Sequence, residues 1–185
     1  MLVIRKIIII ITFIILPTQV NAEITNEQKL NIYFKQLVET KTKLDAGILE
    51  KKIWDIWHKH PKNEFLTDKL GFATKLMYRG NYHFALQIFT NIINEDPSWS
   101  EAWNKRATLL YLMKDFQKSL VDIDYTLKLE PRHFGALSGR AQIYIMLEEY
   151  EKALEDFKSI KNIHPTSVEK DTIPKLEKLI KGLNI

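Results

Sequence analysis

The chain has no cysteine, which excludes a disulfide framework, thiolate metal sites and thiol catalysis. Its glycines are few and scattered, so there is no glycine-rich phosphate loop. Neither a Gly-x-Ser-x-Gly elbow nor a His-Glu-x-x-His pair occurs. Charge of one sign is scarce too. A formal net charge of +4, falling to about +2 without Arg5 and Lys6, is too small for a nucleic-acid surface. Among the five histidines only His58 and His60 stand close together. Two apart on a helix, their rings point about 200° from one another and cannot chelate one ion. His83, His133 and His164 fall at turns or helix ends, and the ligand spacing of a metal site is missing. The expectation is a protein without cofactor or metal, not an enzyme, that works by contact.

Long apolar runs are also lacking, with one exception. Residues 7–16 follow Arg5 and Lys6, are broken by Pro17, and lead to the small-residue end Val20-Asn21-Ala22. That is the charged, apolar and cleavage-site order of a secretory signal. The run is about half the ~20 residues a membrane span needs. Residues 1–22 are therefore expected to be a signal segment cleaved near Ala22. If uncleaved, they would be the protein's one attachment to a membrane.

What the sequence does contain is a repeat. Residues 66–99, 100–133 and 134–167 align as three 34-residue units with no insertion. Prolines recur at Pro97, Pro131 and Pro165. Small residues recur at Ala73, Ala107 and Ala141, and again at Ala85, Ser119 and Ala153. Aromatics recur at Tyr82, Phe116 and Tyr150, and bulky apolar residues at Phe89, Ile123 and Phe157. A fixed period of this length signals stacked supersecondary units. The small residues fit where two helices approach closest, and the prolines end each second helix by restricting the residue before them.

These spacings and residue types resemble the tetratricopeptide repeat (TPR) family, over about 102 of the 185 residues. The resemblance implies an all-α fold, a right-handed solenoid of three helical hairpins. The strings around Trp103 and Phe134 further resemble short exported bacterial members, which points to the periplasm. Expected helices run over 64–79 and 82–95, then 100–113 and 116–129, then 134–147 and 150–162.

Flanking segments complete the expectation. Over 23–63, two amphipathic patterns (Leu30, Tyr33, Phe34, Leu37, Val38; then Ile48, Leu49, Ile53, Ile56, Trp57) predict a helical hairpin outside the repeat template. Such a hairpin, with Trp54 and Trp57 in its core, is expected to cap the open end of the first unit. Over 168–185, Pro174 in a first turn, with Leu176, Leu179 and Ile180 facing the third unit, predicts a C-terminal capping helix.

Two positions change together between units. Phe72 and Ile88 in the first become Arg106 and Asp122, then Arg140 and Asp156. Facing each other across an antiparallel hairpin, they predict two ion pairs within their units.

The family resemblance also implies a concave groove lined by the first helix of each unit. Carried over, its residues are Thr67, Leu70, Thr74, Met77 and Tyr78; then Glu101, Asn104, its neighbour Lys105, Thr108, Tyr111 and Leu112; then Gly135, Ser138, Gln142, Ile145 and Met146. The basic cluster that clamps a C-terminal carboxylate in chaperone-binding members is missing from the first and third units. An extended or helical peptide with apolar side chains suits the lining better. The expected function is an interaction module of the bacterial envelope with a protein or peptide partner. The alternative is a self-associating protein whose groove or end face holds another copy. A groove filled by the flanking helices is the third possibility.

Overall fold

The computed structural model describes residues 24–183, so the expected signal segment lies outside the described residues. Among the described residues, nine α-helices follow in order: α1 (Asn26–Glu39), α2 (Lys43–Trp57), α3 (Glu64–Tyr78), α4 (Tyr82–Glu95), α5 (Ser100–Leu112), α6 (Phe116–Leu129), α7 (Phe134–Met146), α8 (Tyr150–Ile163) and α9 (Ile173–Leu183). A short 3₁₀ turn, Val168–Asp171, precedes α9. There is no strand among the described residues.

The repeat period becomes three antiparallel hairpins: α3 with α4, α5 with α6, α7 with α8. Each packs on the next through α4–α5 and α6–α7. Ala73, Ala85, Ala107, Ser119, Ala141 and Ala153 are all buried, where larger side chains would hold the helices apart. The architecture is the TPR α-solenoid. Each hairpin turns at one residue in the left-handed region: Gly80 (φ 78°), Lys114 (φ 62°) and Glu148 (φ 61°). The amide that follows closes back onto the first helix, Asn81 N to Leu76 O, Asp115 N to Leu110 O and Glu149 N to Tyr144 O, as in a Schellman stop.

Both ion pairs expected from the covarying positions are present and two-pronged. Arg106 donates to Asp122 at 2.7 and 2.8 Å, and Arg140 donates to Asp156 at 3.0 and 2.8 Å. The remaining nitrogen of each crosses into the preceding unit, to Thr90 (3.3 Å) and Asp124 (2.9 Å). Each arginine thus ties its own hairpin together and fastens it to the one before.

The N-terminal hairpin departs from expectation. It does not cover the outer face of the first unit, where Phe65 and Phe72 stay exposed, Phe72 at 54%. Instead, Leu30, Phe34, Leu37, Ala46, Leu49, Ile53 and Trp57 share one core with Phe134, Leu137, Ala141, Phe157 and Ile160 of the third unit. The chain folds back along the connections between units, because the large apolar surface matching the α1–α2 rings lies around Phe134. At the other end, Leu176 is buried and Ile180 packs on this same core. Leu179, expected to face the third unit, points to solvent.

Candidate functional site

The docked hairpin is held by polar contacts as well as by packing. Glu101, in the first turn of α5, is completely buried at its junction with α2 and α7. Its Oε1 lies 3.0 Å from His58 Nε2 and 3.1 Å from Lys105 Nζ. Its Oε2 accepts from Asn104 at 2.9 Å and lies 3.0 Å from His133 Nε2. Burial opposes its charge, but the bonds from His133 and His58 and the charges of Lys105 and His133 outweigh burial. The carboxyl is held well below its usual range. Trp99 donates its indole N–H to Trp57 O at 2.9 Å, and His60 Nε2 lies 2.8 Å from Asp96.

Trp54 completes the seam. Its ring stacks on His58 and meets Trp57, His133 and Phe134 edge-on. Its six-membered ring lies over Gly135, where an added Cβ would come within 2.6 Å. A glycine in the first turn of α7 is what allows α2 to come this close.

Beside this seam, between α5 and α7, opens a cleft of about 380 Å³. Asn104, Thr108, Tyr111 and Leu112 form one wall, and Gly135, Ser138, Gly139 and Gln142 the other. Ala107, Ser119, Ile123 and Ile143 lie beneath, and Glu50 and Trp54 of α2 close one end. Thus Asn104, Thr108, Tyr111, Ser138 and Gln142, expected from the sequence to share a groove, are brought together. Glu50 and Trp54 were not expected there. The signal that could have placed them was Gly135, a residue poor at helix formation in a helix's first turn.

Other expected groove residues lie elsewhere. Glu101 is sealed beneath the hairpin and cannot meet a partner. Leu70 and Met77 are 2% and 1% exposed, packed among Trp99, Ala102 and Leu109 where α3 meets the second unit. Both were expected on the open surface and belong to the core. Lys105 turns away from the cleft, toward Glu101 and to 5.7 Å from the Trp54 ring centre. Thr67 accepts from the His60 amide at 2.8 Å, and Thr74 donates to Leu70 O at 2.8 Å. Ile145 packs on the third unit's core, while Tyr78 and Met146 are exposed beyond the cleft. The hairpin therefore covers the groove at the N-terminal ends of α5 and α7 and leaves their C-terminal halves open. Among the described residues, no group of three or more His, Asp or Glu side chains could hold a metal ion.

With the stacked hairpins in view, relatives can be placed. A TPR repeat-containing protein from Rhizobium etli is 30% identical over 151 residues, spanning 82% of this chain and 74% of the relative. The chain belongs to the TPR repeat-containing proteins. No protein-family model matches it. A solved TPR protein from Parabacteroides merdae superimposes with a TM-score of 0.58 at 22% identity, over 84% of this chain and 61% of that one. The first TPR of Spaghetti (RPAP3), solved bound to an HSP90 peptide, gives 0.59 at 20% identity, over 63% and 93%. Both share its fold.

Proposed function

We propose that this protein is a non-enzymatic interaction module that holds a peptide or protein segment in the cleft between α5 and α7. The observation that carries this reading is the cleft itself. It lies on the first helices of two stacked units, has an apolar floor, and is rimmed by Tyr111, Thr108 and Gln142. Spaghetti's first TPR, similar in fold, holds a peptide, which supports a peptide as occupant. A photoreactive residue at Tyr111 should crosslink a protein partner, and Tyr111→Ala with Gln142→Ala should abolish its capture. Capture undiminished by both substitutions would remove the cleft from the interaction.

A bacterial envelope location is part of the proposal. It rests on the charged, apolar and small-residue order of residues 1–22. N-terminal sequencing of protein from a periplasmic extract should begin at Glu23.

One observation favours a second reading, self-association. Phe65 and Phe72, seven residues apart and hence on one face of α3, are exposed on the first unit, as apolar residues of a contact surface are. A monomer by light scattering at micromolar concentration removes this alternative.

A further inference from the structure

The cleft has a polarity that its residue types alone do not reveal. Most of its side-chain donors are already engaged inside the protein. Asn104 gives its amide to Glu101 at 2.9 Å. The Thr108 hydroxyl donates to Asn104 O at 2.9 Å, and the Ser119 hydroxyl to Ala107 O at 2.8 Å. Gln142 turns its amide toward Ser138 Oγ at 3.4 Å. What these groups still offer is two amide carbonyls, the lone pairs of hydroxyls and one N–H on each amide, none of which carries a charge.

One carboxylate and no cationic side chain stand in the lining. Glu50 closes the end of the cleft beside Trp54, and no lysine or arginine lines it. His164, its Nε2 3.5 Å from Oε2, holds the Glu50 carboxyl below its usual range against the desolvation of partial burial. It is a carboxylate at neutral pH. Lys105, the basic residue nearest this end along α5, is taken up by Glu101.

Resting on the peptide-binding reading above, we infer that the cleft selects a peptide segment by an arginine or lysine side chain flanked by apolar residues. The cationic head lies toward Glu50 and the acceptor oxygens, and the apolar neighbours lie along Tyr111, Leu112 and Ile123. An acidic segment is rejected, because its carboxylates would meet the Glu50 carboxylate with no lysine or arginine in the lining to receive them.

The test uses the full chain and three blocked pentapeptides of alanine and leucine, with arginine, glutamine or glutamate at the centre, titrated by calorimetry. The arginine peptide should bind roughly tenfold more tightly than the glutamate peptide, with the glutamine peptide between. Glu50→Gln should bring all three within about threefold of one another. Gln142→Lys, at an exposed position, should invert the order without touching the hairpin seam. Equal binding of the arginine and glutamate peptides to the unmodified chain would overturn the charge selection and leave the cleft as the site. If Tyr111→Ala left the arginine peptide's affinity unchanged, the peptide would bind elsewhere, and the cleft reading would fall with it.

Discussion

The Trp57 indole lies flat on the His133 imidazole, with ring centres 4.1 Å apart and planes 10° from parallel. These residues are far apart in sequence, and their contact fixes the hairpin's address. It brings α2 across the start of α7, makes Trp54 and Glu50 the end of the cleft, and leaves the first unit's face open. Whatever loosens this stack should change the cleft and the core together.

The tightest point of the seam predicts its own disruption. At Gly135 a methyl group would stand 2.6 Å from one carbon of the Trp54 ring and 3.0 Å from the next. The ring is wedged among Trp57, His133 and Phe134 and has little room to move. Gly135→Ala should cost about 1–3 kcal/mol through overpacking. Limited proteolysis should then cut the linker 58–63 faster while the three repeat hairpins stay protected. Unchanged proteolysis would mean that the hairpin is not held through Trp54.

Glu101 predicts a dependence on pH. Its folded pKa lies below the ordinary value of 4.5, so the charged form favours folding. Its contribution is complete above about pH 4.5 and is lost as the pH falls through the depressed folded value. Glu50 acts in the same direction. Urea unfolding of the unmodified chain should weaken progressively below this point. Glu101→Gln should cost about 3 kcal/mol at neutral pH, since it leaves Lys105 without its counter-charge and weakens the bonds to His58, His133 and Asn104. It should also flatten the acid limb. An acid limb of the same steepness in the variant would show that other carboxylates set it.

How much of this could be read from the residues depends on the range of the interaction. The helices follow from a 34-residue period and local stop chemistry, and Tyr82–Glu95 and Phe116–Leu129 fall at their expected bounds. The arginine–aspartate pairs were legible because the repeat compares one place three times. The hairpin's destination was not. An amphipathic pattern says that Leu30, Phe34 and Trp57 must be covered, but several apolar faces could do it. The burial of Leu70 and Met77 was hidden for a related reason: a place that is open in one unit is closed in another by its neighbour's Trp99.

The ion pairs within units predict an exchange. Asp122 is 2% exposed, so Arg106→Phe alone leaves a buried carboxylate without its partner and should cost about 3–5 kcal/mol. The first unit already carries the apolar version, Phe72 with Ile88. Combining Arg106→Phe with Asp122→Ile should recover most of the loss, since replacing a whole buried ion pair with apolar residues is often neutral. Thermal unfolding of both single variants and the double variant measures the coupling. Additive losses would mean that the pair does not act as a unit.

The hairpin turns give the last prediction. Gly80, Lys114 and Glu148 occupy the same place in successive units, all at positive φ. A residue with a Cβ pays roughly 1–2 kcal/mol there, whereas glycine does not. Lys114 and Glu148 are exposed. Glu148 has no hydrogen bond through its side chain to lose, and neither does Lys114. Lys114→Gly and Glu148→Gly should therefore stabilise the chain or leave it unchanged, the relief of strain offsetting the greater freedom of glycine in the unfolded state. Gly80→Ala should destabilise by about 1 kcal/mol even though no atom lies within 4 Å of the new methyl. Chemical denaturation midpoints of the three variants test this directly. A loss at Lys114→Gly as large as that at Gly80→Ala would show that the turn is governed by side-chain contacts and not by the backbone angle.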